Sequence, residues 1–283
     1  MGAILFVSAS AVFAQQPLPA SGARMLIVPR RIVSGERATL AVLDMNGRLT
    51  PNVTVKFSNG DRLTTDVTGR GLFVAPLNPG VISVSIEGRP GPVFTTVVSP
   101  TDAAISTMQV TAAPRIASLS DRFEISGRGF CGDADSNQVN IGGEAGLVLA
   151  SAPNSLVILP PSGVGPGPAV VNISCGKLSA EPFSITLVGL DLEANTSPLA
   201  PGEHRVLTVH VKGTPGKIVL EARNLAPEIA ELKGGVAVRA TSSGGNNNIA
   251  RVEVVGQKKG SFIISIRLAP ASSPLQPGTA KER

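Results

Sequence analysis

At 283 residues with 42% apolar side chains, the chain is long enough for two or three packed domains, which excludes disorder as its general state. It holds 31 Gly and 23 Pro but neither Trp nor Tyr, a balance that favours short strands between tight turns over long helices. The formal charge of +5 is spread thinly, with Arg30-Arg31 and Lys258-Lys259 the densest basic pairs. No basic stripe with stacking aromatics marks a nucleic-acid site, so no nucleic-acid partner is expected.

The N-terminus reads MGAILFVSASAVFAQQPLPASG. An apolar run from Ala3 to Ala14 followed by Gln15-Gln16 has the form of a secretory h-region with a small-residue cleavage site, although no Lys or Arg precedes it. A run of about twelve residues is too short to span a bilayer as a helix, so residues 1–14 are expected to be a signal peptide and no transmembrane span is expected.

From Arg24, apolar and polar residues alternate in 39–43, 53–57 and 81–86, the period of half-buried strands. Asn46-Gly47, Asn59-Gly60 and Thr68-Gly69 between them are residue types that tolerate positive φ in hairpin turns. Asp44, Asp61 and Asp66 stand beside those turns and read as turn formers. Many short strands at regular turn spacing point to a β-sandwich over residues 24–112. The succession ATLAVLD, NGRLTPNVTVKFSNG and TTDVTGRGLFVAP resembles the bacterial immunoglobulin-like repeats of invasin-type surface proteins, over roughly residues 24–98.

A second module is expected at 113–188. Its segments PRIASLS, FEISGRGF, NQVNIGG, SLVILPP and GPAVVNIS occur in the order found in IPT/TIG domains, which they resemble. That family implies an Ig-like sandwich used as a spacer or protein-contact module, with no single activity. On such a topology FEISGRGF is the second strand and AVVNISC the sixth, lying in opposite sheets and ending at one pole. The resemblance therefore implies a disulfide between Cys131 and Cys175, which are 44 residues apart. By loop-closure entropy such a bond contributes about 4 kcal/mol, and it needs the oxidising compartment that export supplies. The competing reading is two buried free thiols.

A third β-sandwich is expected at 189–270, from alternation in 205–211, 217–221, 249–255 and 261–267. The last stretch, ASSPLQPGTAKER (271–283), reads as a disordered tail. Residues 99–113 and 188–201 are rich in small residues and read as flexible linkers between independent modules.

The two histidines offer no catalytic pattern. His210 alternates with strand residues and His204 has no nucleophile or ligand at suitable spacing. No nucleophile elbow, P-loop or dinucleotide fingerprint occurs, so no enzyme activity and no cofactor are expected. Asp133, Asp135, Asn137 and Glu144 fall at positions 1, 3, 5 and 12 of a calcium-type loop, but Gln138 stands where the sharp turn needs glycine, and a solvated turn is the competing reading. The nine aromatic residues are all Phe and mostly at apolar strand positions, among them Phe57, Phe73, Phe123 and Phe262, which disfavours sugar stacking.

The sequence thus describes an all-β chain of tandem immunoglobulin-like β-sandwiches, exported and non-enzymatic, acting as a spacer, adhesion or protein-interaction module at a cell surface or in the periplasm. Its expected partner is an unidentified protein or surface polymer. The alternative reading is the non-catalytic accessory region of a secreted enzyme or envelope assembly. Mass analysis of the protein from its native host is expected to find an N-terminus near Gln15; recovery of intact Met1 from soluble cytoplasm would remove the export argument.

Overall fold

The computed structural model describes residues 24–100, 107–193, 198–260 and 262–269. The expected signal segment, 1–14, and tail, 271–283, lie outside the described residues. Within them the chain is all-β and forms tandem immunoglobulin-like sandwiches.

The first sandwich contains β1 (Met25–Ile27), β2 (Arg31–Val33), β3 (Arg37–Leu43), β4 (Thr54–Phe57), β5 (Arg62–Thr64), β6 (Arg70–Val74), β7 (Gly80–Ile86) and β8 (Val93–Val98). β1 and β6 flank β3, while the facing sheet runs β2-β8-β7-β4-β5. The chain changes sheets at its start: β1 pairs antiparallel with β3, and β2 pairs parallel with β8. Leu40, Val42, Val55 and Val84 fill the space between the sheets, with Phe57 and Phe73 in contact at 4.9 Å between ring centroids. The turns are built as their residues imply. The Asp44 carboxylate accepts the N–H groups of Asn46 and Arg48 at 2.8 and 2.9 Å, and that of Asp66 accepts those of Thr68 and Arg70. Burial raises the Asp66 carboxyl, but the Thr68 hydroxyl and the two backbone N–H groups outweigh it and hold the group below its usual range.

The second sandwich follows the same path. It contains β9 (Gln109–Ala112), β10 (Ile116–Ser118), β11 (Phe123–Arg128), β12 (Asn137–Ile141), β13 (Glu144–Ala145), β14 (Leu147–Ala152), β15 (Ser155–Leu159), β16 (Gly167–Cys175), β17 (Leu178–Ser179) and β18 (Phe183–Leu192). Again the first strand divides between sheets: β9 pairs antiparallel with β11, and β10 pairs parallel with β18. Ile125, Ile141, Leu156, Val171 and Leu187 form the centre of its core.

The third contains the end of β18 with β19 (His204–Lys212), β20 (Val219–Asn224), β21 (Ala230–Leu232), β22 (Ala237–Thr241), β23 (Ile249–Gly256) and β24 (Ile264–Leu268). One sheet runs β18-β19-β23-β21 and the other β22-β20-β24.

Of the linkers expected at 99–113 and 188–201, residues 101–106 and 194–197 lie outside the described residues, and the described parts differ from that expectation. β3 was expected to alternate, yet from Ala38 to Leu43 every residue is buried. Leu40 and Val42 face the core of their own sandwich, whereas Ala41 and Leu43 pack with Ile27 against Leu149, Ala150 and Val157 of the second. Met108, within the first expected linker, is buried in the second core, and Gln109–Ala112 is a strand. The second joint is a shared strand. β18 pairs with β16 through Phe183–Leu187 and then with β19 through Gly189–Leu192, so one continuous strand crosses residues 188 and 189. Val188 is fully buried there and belongs to the third core. The flexible-linker expectation fails at these positions because backbone pairing and apolar burial occupy them.

Gly213 locks this second joint: it lies at φ +94, and a Cβ on it would overlap the Leu187 carbonyl oxygen. Gly213→Ala is therefore expected to cost about 2 kcal/mol, read as a lower melting temperature; an unchanged melt would show that the joint yields without strain.

Candidate functional site

The feature with the densest specific chemistry is the loop from Cys131 to Asn137, at the junction of the first two sandwiches. β11 lies in one sheet and β16 in the other, and the Cys131–Cys175 disulfide joins their ends across 6.0 Å between Cα atoms. The pairing implied by strand order is the one present.

Asn137 closes the loop. Its side-chain oxygen accepts the Cys131 N–H at 2.9 Å, and its amide donates to the carbonyls of Cys131 and Asp133, both at 2.8 Å. Asp133 caps a short 3-10 turn, Ala134–Ser136, by accepting the Asp135 N–H. The loop then docks. The Gly132 carbonyl accepts the hydroxyls of Thr39, from the first sandwich, at 2.8 Å and of Ser151, from the second, at 2.7 Å. Thr39 Oγ1 in turn accepts the Ala134 N–H at 3.1 Å. Gly132 has to be glycine here, because a Cβ would overlap the Arg37 carbonyl.

Arg70 completes the joint. Its side chain is only 8% exposed, with Nε and Nη2 donating to the Val148 carbonyl at 3.1 and 2.7 Å and Nη1 to Asp135 Oδ1 at 2.8 Å. Asp135 is 65% exposed, so the ion pair itself adds little, whereas the buried carbonyl has no water to replace the guanidinium. A second cross-link stands at Glu124, whose carboxylate accepts the Arg30 N–H at 3.1 Å and the Ser155 hydroxyl at 2.5 Å.

This geometry redistributes the four calcium candidates. Asp133 caps the turn, Asp135 holds Arg70, and Asn137 spends its amide on the loop backbone. Glu144 stands on β13 with its carboxylate against Gly163. Among the described residues no three His, Cys, Asp or Glu are grouped to hold a metal. His204 Nδ1 lies 2.8 Å from Glu253 Oε1, and Lys233 reaches the same carboxylate at 2.8 Å. Hydrogen bonds from Lys233 first and His204 second hold the Glu253 carboxyl below its usual range. His210 borders a shallow depression with Asp191, Lys212 and Asn246–Asn248. No described helix is long and apolar enough to cross a membrane.

Sequence reading missed Thr39, Arg70, Glu124 and Ser151. Arg70 sits in a glycine turn and gave no signal. Thr39 and Ser151 could have been noticed as small polar residues inside ATLAVL and LVLASA, runs too continuously apolar for a half-exposed strand.

No protein-family model matches the chain, and no curated protein matches it. Among solved structures it is similar to a Bacteroides ovatus mixed-linkage glucan utilization protein, SGBP-B, determined in complex with a mixed-linkage heptasaccharide. Identity is 12%, covering 91% of this chain and 76% of that one, with a TM-score of 0.34. It is also similar to surface layer protein SbsC, at 15% identity, 89% and 39% coverage and a TM-score of 0.21. The immunoglobulin domains of Sidekick-1 give 10%, 87% and 75%, and 0.26. The chain spans less than half of that surface-layer structure. These are distant likenesses.

Independent modules were expected to confine the effect of losing the disulfide to the second sandwich. The docked loop predicts otherwise: Cys131→Ser with Cys175→Ser lowers stability by about 4 kcal/mol and loosens the first sandwich with it, seen as faster amide exchange at Thr39 and Ala41. Arg70→Met, which strands the Val148 carbonyl, is expected to cost about 2 kcal/mol by denaturant unfolding.

Proposed function

We propose that the chain is an exported, non-enzymatic series of immunoglobulin-like modules that acts as a stiff spacer and protein-interaction element at a cell surface or in the periplasm. The observation that carries this reading is the pair of joints. One is a buried guanidinium and a disulfide-held loop between the first and second sandwiches, and the other is a strand common to the second and third. Hinged modules would place solvated linkers there, whereas a spacer needs joints that resist bending. The Cys131–Cys175 bond supports export, because such a bond persists in oxidising compartments. Reading the first module as a bacterial immunoglobulin-like repeat and the second as an IPT/TIG-type domain rests on their motifs and is supported by their common strand path.

The test has two parts. Spin labels attached by non-thiol chemistry at the exposed positions 56 and 258 should give a narrow distance distribution, and fractionation of the native host should recover the oxidised protein outside the cytoplasm. A broad distribution would overturn the spacer, and a reduced cytoplasmic protein would overturn export.

A further inference from the structure

Among the described residues, the third sandwich lacks strands that the first two have at one sheet edge. In the first, β7 is flanked by β4 and β8; in the second, β16 is flanked by β12 and β18. The equivalent strand of the third, β24, pairs with β20 on one side and, among the described residues, with nothing on the other. The inward side chains register the difference. Val84 and Val171 are fully buried and Ile173 is 2% exposed, whereas Ile264, Ile266 and Leu268 of β24 are all half-buried.

Among the described residues no second strand pairs with this edge, although β10 of the second sandwich lies near β24. Ala269 donates its N–H to the Val219 carbonyl and Leu225 donates to that of Ile263, which assigns the odd-numbered residues of this stretch to β20. Antiparallel alternation then turns the N–H and C=O groups of Ile264, Ile266 and Leu268 to the outer side. Neither proline nor a register shift blunts the strand, and its single charged side chain is Arg267. By sequence, residues 270–283 carry Pro270, Pro274 and Pro277 and one large apolar residue, Leu275, a composition that disfavours a strand.

The outer face of this sheet is basic. Glu221 stands directly across from Arg239 on one neighbour and from Arg267 on the other, and Arg223 lies two residues along. Arg267 and Arg223 reach the Glu221 carboxylate at 2.8 and 3.6 Å. The hydrogen bond from Arg267 is the main cause holding that carboxyl below its usual range. Two guanidinium groups thus reach one carboxylate and a third stands across the sheet from it, leaving the face with excess positive charge beside this edge.

We propose that this edge accepts a β-strand from a partner protein, an extended segment that alternates apolar side chains with acidic ones and adds antiparallel along β24. Antiparallel is the sense in which β8 adds to β7 and β18 to β16. Residues opposite Ile264, Ile266 and Leu268 point into the half-open core, and the residue opposite Arg267 shares its outer face, where an aspartate or glutamate meets the excess charge. Main-chain hydrogen bonds supply attachment, and the alternation supplies selectivity. The proposal rests on the interaction-module reading and names where and with what that module binds.

The probe is a synthetic nine-residue peptide alternating valine with aspartate, titrated against the full chain, with a valine–lysine peptide as its counterpart. Binding of the acidic peptide should protect the amides of Ile266 and Leu268 from exchange while leaving that of Arg267 unchanged. Arg267→Glu should weaken the acidic peptide roughly fivefold to tenfold and strengthen the lysine peptide, a reversal that unfolding would not produce. Three results would overturn the proposal. They are no protection of those amides by either peptide, protection that is already present and vanishes only on deletion of residues 270–283, and protection that tracks self-association in sedimentation. Any of these leaves the stiff joints, and the spacer reading drawn from them, standing.

Discussion

The carbonyl of half-buried Gly132 receives two buried hydroxyls, one from Thr39 of the first sandwich and one from Ser151 of the second. A buried hydroxyl left unpaired costs about 1–3 kcal/mol, so Thr39 and Ser151 together favour the position at which the loop presents this carbonyl. The disulfide anchors that loop at Cys131, Asn137 closes it, and the absence of a side chain at Gly132 lets it approach Arg37. Arg70 adds a second constraint of the same kind at the Val148 carbonyl. The relative placement of the first two sandwiches follows from these bonds and from the apolar contact of Ala41 and Leu43 with Leu149 and Val157.

The two joints are made in different ways. Between the first and second sandwiches, β14 meets β3 at one backbone bridge, Ser151 to Thr39, and side chains do the rest of the work, with polar groups specifying the register of an apolar contact. Between the second and third, backbone hydrogen bonds do it, since β18 leaves one sheet and enters the next without a break. A strand that belongs to two sheets cannot turn at residue 188 without losing pairs from both, which couples the orientation of the third module to the second. Among the described residues the third sandwich is also the least closed. Its core is assembled from Val209, Leu220, Ala222, Leu232 and Val252, but the strand at its β24 side leaves Ile266 and Leu268 half-buried.

Much of this was legible in the chain. Alternation and turn residues determined that the protein is all-β, the Asn-Gly and Asp-centred turns determined where strands reverse, and the Ig-like topology implied by the resemblance set Cys131 and Cys175 at one pole, which left free thiols as the competing reading until the structure showed the bond. These are local properties: a period of two, a left-handed turn residue and a cysteine at a strand end act through neighbours close in sequence or through a topology that the resemblance implies. Tertiary structure alone decided what covers the strands. The apolar runs at 38–43 and 148–152 are continuous because each faces a core on both sides, and periodicity cannot say which second surface will bury them. Likewise the spacing of Asp133, Asp135, Asn137 and Glu144 suited a cation, but their partners are Arg70 and the loop backbone, brought from as far as 65 residues away. Small residues at 188–201 suggested a hinge for the same reason: composition records flexibility in isolation, and a buried Val188 with paired neighbours on both sides has none to express.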